Sequence, residues 1–462
     1  MYGEAAEARI ELGRTLFTLA QYDEAATTLE AAVGRFTEDN DVLGIASATQ
    51  LLAQVEGERG RPRAGIDLMK PRLEQIENLA GPEQLFNAYF TLARLTFLGG
   101  EYEDSLRYAS LMKQKAPEAA ADDEARILYL GQAESCVGVA QQMLGESERA
   151  EETLRRAIEL SQTAGDLESL SRSLNNLGAA FADAGRFAEA VSYLEQALEV
   201  AQRVGDPTKI CWELCVLANL RNLLGEWDAS ETLLREALDL LALYGESWFT
   251  AYPMVQLALL HIGRGETDAA TTLIEQAMPM IDASGDLQVE RWARGRLGSI
   301  EILNGNPKGA IAQIRPVLDR PGLEESDVTN LLPILAEALL TVDPEEAKAV
   351  AESAIVRARA QNDAVSLVDA LHVRGLVALE IGDTSEAIAF LSELLELSVS
   401  MSYPYVEAQA RLGMAQARSV GNGWDKEAMQ HLDASEVIFT RVRAKPYLDK
   451  ISALRRELLT AG

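Results

Sequence analysis

The sequence predicts an all-α solenoid, in which helical hairpins stack one after another along the chain. Two sets of punctuation residues support this prediction, and each recurs every 40 residues. The first set consists of glycines at the turn inside a hairpin, Gly145, Gly185, Gly225, Gly265 and Gly305. The second set marks the end of a hairpin, at Gly165-Asp166, Gly205-Asp206, Gly245-Glu246 and Gly285-Asp286. Glycine suits the positive φ that follows a helix, and Asp suits the N-cap of the next helix. Because both sets of residues recur with the same period, they indicate a structural repeat.

One hairpin is clearest between Ser173 and Asp206. Apolar residues recur there at helical spacing on both sides of a turn at Ala184-Gly185-Arg186. Small residues at Gly178, Ala190 and Ala197 let the two helix axes approach closely. A single hairpin cannot bury its second face, so we expect a similar hairpin on each side of it.

The order Leu177-Gly178, Phe181, Ala190, Leu194 and Ala197 resembles the signature of the tetratricopeptide repeat (TPR). The 40-residue period is similar to the long repeats of bacterial maltose-regulator-like and signal-transduction ATPase regulators, and to those of kinesin light chains. The resemblance covers essentially the whole chain. It implies a right-handed α-solenoid (superhelix) of about eleven hairpins plus a C-terminal capping helix. It says little about the ligand, because TPR arrays host many unrelated partners.

In chain order, the first hairpin pairs residues 4–19 with 22–36, and the second begins at an N-cap, Asp41. Pro71 lies inside the second helix of that hairpin and should kink it. Residues 123–284 form the most regular block. An Asn or Asp N-cap followed by proline at the first helical position recurs at Asp206-Pro207, Asn306-Pro307 and Asp343-Pro344. The tail from Pro446 is expected to be the capping helix.

The eighth hairpin suggests where the array divides. Its second helix carries Pro316 and ends at Arg320-Pro321-Gly322, which is typical of a bend or boundary. We therefore expect a TPR array at 1–320 and its continuation, with the capping helix, at 321–462. Since little sequence precedes the first helix to cover it, we expect a segment of a larger protein with adjoining domains. Six basic residues and one acidic residue between Arg441 and Arg456 fit a polar cap or a contact surface for such a domain.

The formal net charge of −30 argues against nucleic acid or an anionic membrane as the main partner. Most of this charge is expected to lie on solvated outer faces. The three cysteines all fall inside predicted helices, which fits a reducing compartment without disulfides. With no signal-like segment and no apolar run of membrane-spanning length, the chain is expected to be cytoplasmic.

No catalytic motif is present, so we expect a protein that is not an enzyme and that carries no metal or cofactor. The chain contains no Gly-Lys pair, which excludes a P-loop. Cys211 and Cys215 lie four residues apart on one helical face, but zinc needs further ligands and no second pair is visible. His261 occupies the repeat position of Phe181, which favours a hydrogen-bonded packing residue over a catalytic base.

In TPR folds the first helix of each hairpin lines the concave surface, and the resemblance transfers that register to this chain. Its second, fifth and ninth positions include the aromatic residues Trp212, Tyr252 and Trp292, which are 40 residues apart and should stack as a ladder. Phe90 and Cys215 lie in the same rows. Ladder rings either bind a partner or pack between neighbouring helices. The residues that we expect to bind a ligand or peptide are Gln54, Asn87, Arg94, Arg172, Asn175, Trp212, Asn219, Asn222, Tyr252 and Trp292.

We therefore expect a non-catalytic TPR scaffold that binds a protein segment or peptide in its concave groove. It would serve as the regulatory or sensor arm of a bacterial signalling or transcription-regulating protein. The alternative is a domain that senses a small effector, such as a sugar or nucleotide, on the aromatic ladder. A purely architectural spacer is the third hypothesis. The Lys/Asn pattern with which chaperone-binding TPRs clamp a C-terminal carboxylate is not reproduced around Asn175.

Overall fold

The computed structural model describes residues 2–19, 21–244, 248–284, 287–319, 328–422 and 424–461. Within these ranges every regular element is helical, and the helices pair as eleven hairpins followed by one last helix. Short turns join the two helices of a pair, which makes them antiparallel neighbours. The predicted all-α solenoid is confirmed. The chain forms two compact units, Met1–Leu177 with Ser284–Asp286, and Gly178–Ala283 with Leu287–Gly462.

The first unit contains four hairpins and the beginning of the fifth. Its helices are α1 Tyr2–Thr18, α2 Tyr22–Glu38, α3 Val42–Glu58, α4 Pro62–Met69, α5 Leu73–Leu79, α6 Pro82–Leu98, α7 Tyr102–Ala119, α8 Asp123–Met143, α9 Ser147–Ala164 and α10 Leu167–Asp183, which crosses into the second unit. As Pro71 predicts, α4 and α5 are one helix interrupted by a 3₁₀ turn, Lys70–Arg72.

The second unit contains the rest of the fifth hairpin and all later ones. Its helices are α11 Phe187–Val204, α12 Pro207–Leu223, α13 Trp227–Tyr244, α14 Ala251–Arg264, α15 Thr267–Ser284, α16 Leu287–Leu303, α17 Pro307–Leu318, α18 Leu331–Leu339, α19 Pro344–Gln361, α20 Ala364–Glu380, α21 Thr384–Met401, α22 Pro404–Asn422, α23 Lys426–Val442 and α24 Lys445–Ala461. The last of these is the helix that the sequence predicts from Pro446.

The helix boundaries follow the predicted punctuation. Gly165 and Gly205 take positive φ angles of 71° and 80° after α9 and α11. The carboxylates of Asp41 and Asp206 accept hydrogen bonds from backbone N–H groups at the start of α3 and α12. Two predicted marks, Gly245-Glu246 and Gly285-Asp286, lie outside the described residues. So does Arg320-Pro321-Gly322, and the boundary between 1–320 and 321–462 stays a prediction.

Close contact between the two helices of a hairpin depends on the small residue of the first helix. At Gly178 an added Cβ would lie 2.7 Å from Cγ of Leu194 on the facing helix. Leu177, Phe181 and Ala190 are buried around this contact. The spacing of 16 residues recurs as Gly138 with Leu154, Gly298 with Ile314 and Gly375 with Leu391. Local sequence therefore determines how each hairpin packs.

In the second unit, the C-terminal helices pack against the turns of much earlier hairpins. The ring of Tyr403 lies 6.0 Å from that of Phe187. The ring of Tyr405 lies 5.3 Å from that of Trp227. Arg443 Nη2 donates to Asp228 Oδ2 at 2.8 Å, so part of the basic tail pairs with an acid of its own unit.

The glycines in the turns of this unit allow the C-terminal helices to pack closely against those turns. A Cβ at Gly185 would lie 2.7 Å from Cγ of Met401, and one at Gly225 would lie 2.7 Å from Cγ of Pro404. A Cβ at Gly265 would lie 3.1 Å from Cδ of Pro446. We call these three turns, with Met401–Tyr405 and Arg443–Pro446, the return interface. The sequence analysis did not find it, because its two sides lie about 200 residues apart.

None of the helices in the described ranges combines the length and the apolar character needed to cross a bilayer.

Candidate functional site

The aromatic ladder that the sequence predicts is formed in the second unit. Trp212 on α12 stacks on Tyr252 of α14, with ring centroids 5.5 Å apart and planes at 27°. Tyr252 contacts Trp292 of α16 at 5.1 Å, with the rings tilted by 55°. The three rings occupy equivalent positions on consecutive first helices, so a 40-residue sequence period becomes a continuous row of aromatic contacts.

A fourth ring, Phe249, extends the ladder. It lies 5.2 Å from Tyr252, stacked at 17°, and 5.7 Å from Trp212. Phe249 precedes α14 in a short 3₁₀ turn, Trp248–Thr250, and is itself buried. The repeat register gave no signal for it, because this turn lies outside the repeated helix positions.

The rings of the ladder differ in how far solvent reaches them. Trp212 is 37% exposed, whereas Tyr252 is 8% exposed. Trp292 is partly buried against the core of the unit. Tyr252 therefore packs between its neighbours, as one hypothesis about the ladder expects. Trp212 offers an accessible face backed by them, and partner binding at this face stays a prediction.

The predicted amide side chains fall in both units. Asn219 is exposed on α12, two turns from Trp212. Asn222 is partly buried near the end of the same helix, and its carbonyl accepts from Trp227 Nε1 at 3.2 Å. Asn175 belongs to the first unit, where it is 7% exposed.

The other predicted binding residues lie in the first unit, where Gln54 and Arg94 bond to side chains of neighbouring helices. Gln54 Nε2 on α3 donates to Thr91 Oγ1 on α6 at 3.0 Å. Arg94 Nη2 donates to Glu58 Oε1 at 3.0 Å. These four side chains line a cavity of about 10 Å³, enough for about one water molecule. Asn87 is partly buried one turn before Thr91 on α6.

Two arginines of the first unit converge on one phenylalanine. The guanidinium carbon of Arg94 lies 5.8 Å from the ring centroid of Phe90, and that of Arg172, on α10, lies 5.9 Å from it. Both distances are within the range of a cation–π interaction. Arg172 also faces Glu168 at 3.5 Å. Phe90 is in the predicted inner row, but the convergence of two distant arginines on it has no sequence signal.

The surroundings of Arg94 and Arg172 shift the pKa values of the two side chains in opposite directions. Burial opposes the charge of Arg94, but the carboxylate of Glu58 more than offsets that effect and raises the pKa of Arg94. Burial, and next the charge of Arg94, lower the pKa of Arg172. Burial raises the pKa of the Cys136 thiol, and the charges of Arg172 and Arg94 oppose that rise. The carboxylates of Glu168 and Asp166 partly oppose this lowering of the Arg172 pKa.

In the second unit, ionisable side chains from several helices meet near α20. Burial, and then the charge of Asp363, raise the pKa of Asp369 to about 7, while Arg296 on α16 opposes the rise. Burial and the charge of Asp363 also raise the pKa of Asp183, at the end of α10, to about 7. Burial likewise raises the pKa of Glu337 on α18. We call these five side chains the acidic cluster.

In the described ranges, Cys211, Cys215 and His261 lie in packing positions. No group of three or more His, Cys, Asp and Glu side chains in that part of the chain is placed to hold a metal. Cys211 and Cys215 are fully buried, and burial raises the pKa of Cys211 to about 11, which keeps the thiol protonated. His261 Nδ1 lies 2.5 Å from Glu266 Oε2, as a hydrogen-bonded packing residue would.

Stacked helical hairpins with an aromatic row on their first helices define a helical-repeat scaffold. Residues 129–203 match the family described as Tetratricopeptide repeat, so this part of the chain carries repeats of that kind. Residues 215–289 also match the family described as Anaphase-promoting complex subunit 5.

The chain is 31% identical over 93 residues to outer dynein arm-docking complex subunit 4 of Xenopus laevis. That match covers 20% of this chain and spans only 18% of the length of the relative. Among solved structures, the Rap protein complexed with Competence and Sporulation Factor is similar, with a TM-score of 0.51 and 13% identity, over 87% of this chain and 99% of that one. NprR in complex with its cognate peptide NprX gives a TM-score of 0.51 at 13% identity, over 76% of this chain and 98% of that one. These likenesses concern the fold.

Proposed function

We propose that this protein is a non-catalytic TPR scaffold that binds a peptide or an extended protein segment on the first helices of its hairpins. The observation that carries the proposal is the exposed face of Trp212, stacked on the buried ring of Tyr252. An aromatic side chain that is accessible but already fixed offers a large contact area at a small entropic cost. Asn219, exposed on the same helix, adds a donor and an acceptor that suit a peptide backbone.

The similar folds support a regulatory role within this proposal. Rap was solved with Competence and Sporulation Factor and NprR with its cognate peptide NprX, so helical arrays of this kind accommodate peptides. By this analogy the chain acts as the regulatory or sensor arm of a bacterial signalling or transcription-regulating protein, alone or with adjoining domains. Three free, buried cysteines fit a cytoplasmic location.

The test is peptide selection on the full chain, followed by affinity measurement with variants. Trp212→Ala should lower the affinity of the chain for the selected peptides about tenfold or more. A loss of this size is typical when an aromatic anchor residue is removed. Leu243→Ala is the matched control, because Leu243 is 81% exposed on α13, the second helix of the same hairpin. Isothermal titration calorimetry with both variants gives the affinities. Equal affinities of Trp212→Ala and the unmodified chain for every selected peptide would refute the proposal.

The alternative is a small effector, such as a sugar or nucleotide, that stacks on Trp212. The same exposed ring favours it, because a flat ring face also suits a sugar or a base. A thermal-shift screen with sugars and nucleotides separates the two functions, since a ligand at 100 times its Kd stabilises the folded chain by about 2.7 kcal/mol. A shift that Trp212→Ala abolishes would favour effector sensing over peptide binding.

A further inference from the structure

We infer that the return interface is pH-sensitive: it stays closed while carboxyl groups of the acidic cluster hold protons, and it opens more readily once they ionise. Opening here means that the C-terminal helices move away from the turns of the earlier hairpins while the rest of the chain stays folded. The contact lies within the second unit, so this behaviour goes beyond peptide binding at Trp212 and does not depend on it.

Acidic side chains lie on both sides of this contact. Asp183 is the last residue of α10, two residues before Gly185, where a Cβ would lie 2.7 Å from Cγ of Met401. Asp363 precedes α20, which packs beside α21 and α22 on the opposite side, and it accepts a hydrogen bond from Ser366 N at 2.8 Å. Burial, and next the charge of Asp363, raise the pKa of Asp183 to about 7. Two like charges therefore oppose one another across the contact when both are ionised.

Tyr403 connects the rest of the cluster to the contact. Its ring lies 6.0 Å from that of Phe187 on the opposite side. Burial, and next the charge of Asp369 on α20, raise the pKa of Tyr403, while Arg296 on α16 opposes that rise. A residue of the contact itself therefore responds to the charge of Asp369.

Three carboxyl groups of the cluster lack direct partners. The side chains of Asp183, Asp369 and Glu337 accept no hydrogen bond and form no ion pair within the ranges that the structure describes. Asp369 and Glu337 are partly buried, and a partly buried carboxylate without a direct partner is costly to ionise. Asp183 is exposed, so water screens part of its charge and reduces its contribution.

Basic side chains offset this cost only in part. Arg296 opposes the rise in the pKa of Asp369, and Lys450 on α24 opposes the rise in the pKa of Glu337. Both pKa values remain raised, because burial outweighs these two positive charges.

The other groups near the contact change this balance little. Burial, and next the charge of Lys450, lower the pKa of His372 to about 3, so its ring is neutral in the closed contact. Burial raises the pKa values of the phenols, which stay protonated: Tyr403 and Tyr405 on α22, and Tyr447 on α24. Charged side chains at the turns form ion pairs, Arg186 with Glu189 and Arg443 with Asp228.

The direction of the pH effect follows from these groups. In the closed contact Asp183 and Asp369 hold protons up to about pH 7, whereas a solvated Asp loses its proton near pH 3.9. Opening therefore releases protons, and each of the two acids favours the open form about tenfold more at pH 8 than at pH 6. His372, if opened, would oppose this by about fourfold. With screening included, we expect a net change of about tenfold.

The experiment measures hydrogen exchange of the full chain by mass spectrometry at pH 6 and pH 8. Each rate is divided by the intrinsic exchange rate at the same pH, which gives a protection factor. In peptides that cover residues 401–405, protection should be about tenfold lower at pH 8 than at pH 6. Helix α8 of the first unit is the internal reference, and its protection should be equal at the two pH values.

Asp183→Asn should reduce the change in residues 401–405 to about threefold or less, because an amide does not ionise. Asp363→Asn is a second test with the same expected result, since asparagine caps a helix as well as aspartate does. Asp239→Asn, at an exposed position of α13, is the matched control and should keep the full tenfold change. Circular dichroism of each variant verifies that it is folded.

Four results would overturn the inference. The first is equal protection of residues 401–405 at pH 6 and pH 8, and the second is an equal loss of protection in α8, which would mean global unfolding. The third is an undiminished pH effect in both Asp183→Asn and Asp363→Asn. The fourth is an effect that Asp239→Asn removes as well, which would assign it to net charge.

Discussion

Gly225→Ala should destabilise the second unit by about 2–5 kcal/mol, the sum of a left-handed backbone penalty and an overpacked contact. Gly225 has a φ of +74°, where an alanine costs about 1–2 kcal/mol. A Cβ there would also lie 2.7 Å from Cγ of Pro404 and 3.3 Å from Cγ1 of Val442. Pro404 is a rigid ring at the start of α22, so the return interface must open to admit the methyl group.

Gly205→Ala provides the matched control, because Gly205 has a φ of +80° and no atom within 4 Å of an added Cβ. It should cost only the backbone penalty of about 1–2 kcal/mol. Gly185→Ala should fall between the two, since the atoms it meets belong to the flexible side chain of Met401. Urea unfolding followed by circular dichroism gives the free energies.

A local measurement separates the return interface from general destabilisation. Gly225→Ala should speed hydrogen exchange in residues 401–405 and 443–446, which form the far side of that interface. Gly205→Ala should leave exchange there unchanged. Equal unfolding free energies for the two variants would contradict the packing of the C-terminal helices on these turns.

The acidic cluster should contribute a loss of stability as pH rises from about 4 to 8, and His372, whose pKa burial lowers to about 3, opposes it below about pH 6.5. Burial and Asp363 raise the pKa of Asp369 to about 7, whereas an Asp in an unfolded chain has a pKa of about 3.9. Between these values the folded state holds a proton that the unfolded state has lost. The contribution of Asp369 to the free energy of unfolding therefore falls with rising pH and levels off above the folded pKa. Asp183 and Asp363 act in the same direction, because their pKa values are also raised.

Asp369→Asn removes the pH-dependent contribution of Asp369 to the free energy of unfolding, because an amide side chain does not ionise. We expect the variant to equal the unmodified chain at pH 4 and to be more stable by about 1–2 kcal/mol at pH 8, a value discounted for the partial exposure of Asp369. Urea midpoints from pH 4 to 8 give the comparison.

Asp239→Asn makes the same change of net charge at an exposed position of α13 and serves as the control. It should leave the pH dependence of unfolding nearly unchanged. If the two variants stabilised the chain equally at pH 8, the effect would come from the net charge of −30 and not from the acidic cluster.

Much of the candidate site was predictable because its register is local. Trp212, Tyr252 and Trp292 occupy one repeat position, and a 40-residue period in sequence becomes contact between neighbouring first helices. Their unequal exposure was not predictable. Phe249 and the following turn cover Tyr252, and nothing in the repeat pattern encodes that cover.

By itself the sequence determined the helices, their caps and the packing inside each hairpin. The contacts concerned, such as Gly178 with Leu194 or Asp206 with the start of α12, join residues fewer than 20 positions apart, so composition and spacing suffice to define them. Only the tertiary structure decided the return interface, the convergence of Arg94 and Arg172 on Phe90, and the acidic cluster. Each of these includes pairs far apart in sequence, such as Phe187 with Tyr403, Phe90 with Arg172 and Arg296 with Asp369, which lie 216, 82 and 73 positions apart. Such a pair meets only after many small rotations between successive hairpins have accumulated, and those rotations depend on the packing of every intervening helix.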